Sequence, residues 1–202
     1  MKKFIQKIAA VLALVLCAFL PIACSNENGS QDKDNLKKLV IGVDYYEPFV
    51  FLNPDGNFSG FDIDIATEVC RHIGYEPQFV YIDWSLKKSY LSNGEIDCIW
   101  TCFSCTGREN DYDWTLPYIK SRQVVAVGKY SKIKTIADLK DKMVGVQSAT
   151  KADEIFSGKV TLSNVEIPKI KRLVCFSQAS YLYASLSSGL VDAVASHQVV
   201  IE

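Results

Sequence analysis

The sequence predicts an α/β fold in which parallel sheets are covered by helices. Three observations carry this. Short runs rich in β-branched and apolar residues recur along the chain: KKLVIGVDYY, PQFVYID, SRQVVAVG, MVGVQS, RLVCF and LVDAVAS. Segments with helical spacing of apolar residues lie between several of them, and glycine closes the clearest of these. Strands alternating with helices favour parallel pairing, because a crossover helix must cover the sheet.

The elements follow in order. KKLVIGVDYY is a strand that ends in a turn at Glu47-Pro48. Residues 49–61 read as a hairpin around Asn53-Pro54-Asp55-Gly56, a strong turn signal. From Asp62 to Gly74, Ile63, Ile65, Ala66, Val69, Cys70 and Ile73 recur at helical spacing, and Gly74 closes the helix. PQFVYID is a strand, WSLKKSYLSNG a short helix, and IDCIWTCF a second buried strand. SRQVVAVG, the helix-like KTIADLKDK and the strand MVGVQS come next. A helix start follows Thr150, then the strand-like VEIPKI and RLVCF, the helix SQASYLYASLSSG and the strand LVDAVAS. Open α/β sheets bind ligands beyond the carboxyl ends of their strands, so two facing sheets would make a cleft.

The first residues address the chain outside the cytoplasm. Lys2, Lys3 and Lys7 precede an apolar run, Ile8–Ile22, with no acidic residue between. That run is shorter than the roughly 20 residues a spanning helix needs, and a basic start before it reads as a secretory signal. LPIAC then sets Ala23 before Cys24, and polar SNENGSQDKDN follows. This resembles a bacterial lipoprotein signal in which Cys24 is lipidated, although Pro21 stands where the pattern has Leu. The alternative is an ordinary cleaved signal with an incidental cysteine. Residues 1–23 are then the signal peptide, 24–35 a flexible tether, and Leu36 begins the folded body.

Charge and cysteine usage narrow the function. Loss of residues 1–23 removes three lysines and no acid, so the formal charge moves from −1 to −4. A mildly acidic body without a basic block excludes a nucleic-acid footprint. Of seven cysteines, five lie beyond Cys24: Cys70, Cys98, Cys102, Cys105 and Cys175. An odd number argues against a complete disulfide framework. Cys102 and Cys105 have CxxC spacing, but no second pair follows, and His72 and His197 are distant in sequence. No metal is expected there, and the thiols read as small apolar side chains. No nucleophile motif, phosphate loop or metal triad is present, and no cofactor is implied.

Several segments fall into a further order: VIGVDYYEPFVFLNPDGNFSGFDIDIATEVCRHIG, NGEIDCIWTCFSCTGREN, DWTLPYIKSRQVVAVGK, IADLKDKMVGVQSAT and LSSGLVDAVAS. Together they resemble the family 3 extracellular solute-binding proteins, the lipid-anchored or periplasmic receptors of ATP-driven polar amino-acid importers. The resemblance runs from about Leu39 to Ala195. It implies a two-lobe, type II periplasmic-binding-protein-like α/β fold, here with lobe 1 at 36–122 and lobe 2 at 123–202. The second lobe and the C-terminal return are expected to be incomplete, because family members continue for several tens of residues.

The resemblance also implies a site. Tyr46 and Trp84 match aromatic walls, with lobe packing as the plainer alternative, and Asp44 matches a carboxylate that meets ligand side chains in some members. Arg108 in FSCTGR takes the place of the arginine that grips the ligand α-carboxylate, a role suited to a planar guanidinium fork. Ser104 and Thr106 align with hydroxyl residues of that loop if one residue is deleted here. Thr150 matches a residue that also meets the carboxylate, with Ala149 in place of the usual Gly. His197 departs from the family, since it stands where an Asp binds the α-amino group. Neutral imidazole is no counter-ion for an ammonium.

The partners implied are a small polar ligand, an amino acid above all, and the membrane subunits of an ABC importer, with the receptor working as a monomer. Three alternatives remain open: an enzyme like the cyclohexadienyl dehydratases on the same fold, a ligand-sensing module, or a non-functional fragment.

Overall fold

The computed structural model describes residues 36–201. The segments read as signal peptide (1–23) and tether (24–35), Cys24 included, lie outside the described residues, as does Glu202.

Strand β1 (Lys37–Val43) is the centre of a parallel three-stranded sheet, flanked by β4 (Tyr75–Tyr81) and β5 (Cys98–Ile99). Its last residues are deeply buried, as expected of a central parallel strand with both faces covered. The hairpin β2 (Phe51–Leu52) and β3 (Phe58–Ser59) leads into α1 (Phe61–Ile73). Along α1, Ile63, Ala66 and Cys70 face the core with Ile41 and Val43, and Gly74 ends the helix in the left-handed conformation. The backbone carbonyls of Pro48 and Phe49 accept from Phe61 N and Asp62 N at 3.2 and 3.0 Å, so the preceding turn caps α1. A 3-10 turn (Trp84–Leu86) and α2 (Lys87–Ser92) separate β4 from β5.

The second sheet has the order β6-β9-β7-β8, formed by β6 (Gln123–Val127), β9 (Ala193–His197), β7 (Met143–Gln147) and β8 (Arg172–Phe176). Helix α3 (Lys151–Phe156) follows β7, with Thr150 as its N-cap. Helix α4 (Ser180–Ser187) joins β8 to β9, and α5 (Gln198–Ile201) follows β9. Leu139, Val144, Val146, Ala193 and Ala195 form one buried cluster on this sheet. Leu182, Val191 and Val194 form a second. Among the described residues no helix is long and apolar enough to cross a membrane.

Four expectations need correction. The second sheet is mixed, because β6 runs antiparallel to β9; the chain enters it from the first sheet rather than through a crossover helix. IDCIWTCF supplies only the two-residue strand Cys98–Ile99, after which the backbone turns away as a loop toward Arg108. KTIADLKDK forms a 3-10 turn, Ile136–Leu139, held by reciprocal capping between Thr135 and Asp138. VEIPKI pairs with no strand: Pro168 interrupts it and lacks the N–H a ladder needs.

Candidate functional site

The carboxyl ends of β1 and β7 face a common cleft. It is lined by Asp44, Tyr46, Trp84, Thr101, Cys102, Phe103, Ser104, Arg108, Gln147, Thr150, Lys151 and His197. Seven of the eight residues singled out for ligand contact therefore meet in one place. Thr106 does not: it sits exposed in the turn before Gly107, outside the lining.

Arg108 is brought in by the loop after β5. Asp62, buried in the first turn of α1, accepts from Cys102 N at 2.7 Å and from the Tyr118 hydroxyl at 2.8 Å, which pins the loop to the helix. Burial pushes the Asp62 carboxyl upward, opposed by those two donors. A turn closed by Arg108 N donating to Cys105 O then aims the guanidinium inward. Only 8% of Arg108 is exposed, and its guanidinium lies 5.3 Å from the centre of the Phe103 ring.

The guanidinium is already engaged. Nη2 donates to Glu154 Oε1 at 2.5 Å, and Nη1 to the Ser104 carbonyl at 3.3 Å. The second Glu154 oxygen accepts from Lys151 Nζ at 2.5 Å. Burial works against the Glu154 carboxylate, but the two cations together hold its pKa below the ordinary value. One carboxylate between two cations leaves this end of the cleft with a net positive charge, which suits one further anionic oxygen pair.

At the opposite wall, Asp44 is almost fully buried. Its Oδ2 accepts from Gln147 Nε2 at 2.6 Å and its Oδ1 from Tyr45 N at 2.9 Å. Burial raises its pKa to about 6 despite these donors. Tyr46 shares a 2.6 Å hydrogen bond with Ser196 and also belongs to the apolar cluster beneath β1, so it both packs and lines the cleft. Trp84 stands edge-on to Phe103 at 4.8 Å, and its indole N–H is buried with no acceptor among the described residues. Thr150 donates to Gln147 O at 2.7 Å, and Asp153 N donates to its hydroxyl at 3.4 Å. Its side chain therefore caps α3. The His197 ring touches the Gln123 amide at 3.1 Å and the edge of Tyr46; burial, then Arg108, depress its pKa and keep it neutral.

Sequence reasoning passed over Lys87, Thr101, Cys102, Phe103, Gln147, Lys151 and Glu154. Gln147 and Lys151 flank the Thr150 motif, at a strand end and a helix start, which was the available signal. Lys87 and Glu154 look like solvated charges on short helices, and nothing local marks them otherwise.

Two facing α/β sheets with buried cationic and aromatic side chains at their strand ends define the class: a two-lobe, type II binding-protein fold. The chain belongs to the bacterial extracellular solute-binding proteins, family 3, whose model matches residues 39–199. It is similar to the L-cystine-binding protein TcyJ of Escherichia coli (strain K12), 29% identical over 154 residues. That match takes in 74% of this chain and 58% of the relative, so the chain spans little more than half of the relative's length. A probable histidine-binding protein of Neisseria gonorrhoeae is 31% identical, over 100% of this chain and 73% of the relative. Among solved structures, an arginine-bound Gly52Ala mutant of ArgBP from T. maritima superposes with a TM-score of 0.71 at 28% identity, covering 81% of this chain and 75% of that one. An ancestral amino acid-binding protein, a precursor of cyclohexadienyl dehydratase, reaches 0.73 at 28% identity, covering 81% and 71%.

Proposed function

We propose that this protein captures a small polar solute, an amino acid, between its two sheets and delivers it to the membrane subunits of an ABC importer. The observation that carries the reading is the buried Arg108–Lys151 pair at the mouth of an aromatic cleft, only partly neutralised by Glu154. A desolvated guanidinium with spare N–H groups is suited to a ligand carboxylate. Relatives named for cystine and histidine support an amino acid as the ligand class. Calorimetric titration with a panel of the common amino acids and cystine should find at least one that binds in the micromolar range or tighter. Binding of none would refute amino-acid capture.

An enzyme on this fold would need a proton donor in the cleft. Asp44, with its pKa near 6, is the group closest to that task. Each of its oxygens already accepts a hydrogen bond, from Gln147 Nε2 and from Tyr45 N, and the curated relatives are named as binding proteins. Binding without catalysis is the better reading.

The same proposal sets the receptor on the outer face of the membrane, tethered through lipid on Cys24. A pair of acyl chains anchors firmly where one does not, at about 0.8 kcal/mol per buried CH₂. The expressed protein should enter the detergent phase with the added mass of acyl chains, and Cys24→Ala should abolish both. A mature N-terminus at another residue, seen by intact mass spectrometry, would show the tether to be wrong.

A further inference from the structure

Lys87 is not itself a lining residue of the cleft, yet its ammonium packs against side chains that are. It opens α2 and is 7% exposed. Its Nζ lies 4.5 Å from the centre of the Trp84 ring and 5.7 Å from that of Phe103, two of the three aromatic rings that line the cleft. It donates to the Trp84 carbonyl at 3.1 Å and, across to the second sheet, to the Ala149 carbonyl at 3.2 Å. Ala149 is one of two non-glycine residues with positive φ among the described residues, at 58°. Strain of this kind persists where surrounding structure demands it, often at ligand clamps.

Aromatic faces and carbonyl oxygens are the groups that would receive the cationic end of a ligand. Here the chain's own ammonium has taken them. We infer that Lys87 sets the specificity of the cleft, turning away amino acids with cationic side chains and favouring those whose side chain is uncharged or acidic and carries an acceptor. This rests on the amino-acid reading above and names the subclass.

The charges around the site agree. Lys87, Arg108 and Lys151 face two carboxylates, Asp44 and Glu154, which leaves the set one positive charge in excess. A guanidinium or ammonium entering beside Trp84 would meet Lys87 at a few ångströms with little water between. A ligand amide or carboxylate would instead meet the third N–H of that ammonium. Burial lowers the Lys87 pKa to about 8, so the group stays charged at neutral pH.

The test is calorimetry at pH 7 with glutamine, glutamate, arginine and lysine, on the wild type and on Lys87→Met. The wild type should bind glutamine or glutamate at least about thirty-fold more tightly than arginine or lysine, the scale of one unscreened like-charge contact. Lys87→Met, which keeps most of the side chain's length and removes its charge, should shrink that ratio by about tenfold or more. A wild type that binds arginine as tightly as glutamine and glutamate overturns this inference and leaves amino-acid capture standing. An unchanged ratio in a Lys87→Met variant with a native melting transition also overturns it. If the variant does not fold, the wild-type ranking decides alone. Silence of the wild type toward all four ligands overturns this inference, since none of the favoured acceptor side chains is then taken, while amino-acid capture is decided by the full panel above.

Discussion

Replacing Arg108 by alanine should weaken the tightest-binding amino acid by tens- to thousands-fold, the about 2–5 kcal/mol that loss of a buried charge-assisted contact costs. The guanidinium is desolvated, backed by Phe103 and steered by the Ser104 carbonyl, so a ligand carboxylate would find it already aimed. The substitution should cost the fold much less than it costs binding. Glu154 keeps Lys151 as a partner, so no carboxylate is left buried and unpaired. Arg108→Lys separates charge from shape: it keeps the charge but not the fork, and should recover only part of the loss. Titration calorimetry on both variants, with melting curves to verify the fold, reads the result. An Arg108→Ala variant that binds within about threefold of wild type would remove Arg108 from the site.

Gly60→Ala should destabilise the protein by about 3 kcal/mol or more, or about 6–12 °C in the melting midpoint. Gly60 has φ of 123°, a region that side chains with a Cβ do not occupy. A Cβ there would run into the Phe49 carbonyl oxygen, and would lie 2.7 Å from Phe49 C and 2.8 Å from Pro48 O. These are backbone atoms of the turn that caps α1, so no rotamer change relieves the overlap. The same turn carries Tyr46, whose backbone N–H and carbonyl pair with Val50, so ligand affinity should fall with stability. A melting midpoint within 2 °C of wild type, by calorimetric scan, would contradict the steric argument.

Much of this was legible in the residues because it is local or periodic. The α1 stripe of Ile63, Ala66 and Cys70, the Gly74 stop and the Thr150 cap all declare themselves within a turn or two of chain. The cleft residues that carry a motif, such as Arg108 in FSCTGR, could be placed through a family resemblance. Glu154 and Lys87 could not. Each is a charged residue on a short helix, and only the approach of a remote segment turns it inward: Arg108 for one, Ala149 for the other. The antiparallel entry of β6 was hidden for the same reason, since apolar alternation reports burial and not direction.

Among the described residues, five side-chain hydrogen bonds cross between the two halves of the body. They join Gln147 to Asp44, Tyr46 to Ser196, Lys87 to Ala149, Arg108 to Glu154 and Gln178 to Tyr81. Each contributes about 0.5–1.5 kcal/mol net, and more where a charge takes part. Together they act as a clasp: parting the two halves costs the sum of these bonds, and closing them over a solute recovers it. Gln178→Ala at the rim removes one tooth of that clasp away from the cleft lining, and should let a bound solute escape faster than from the wild type although no contact to the solute is lost.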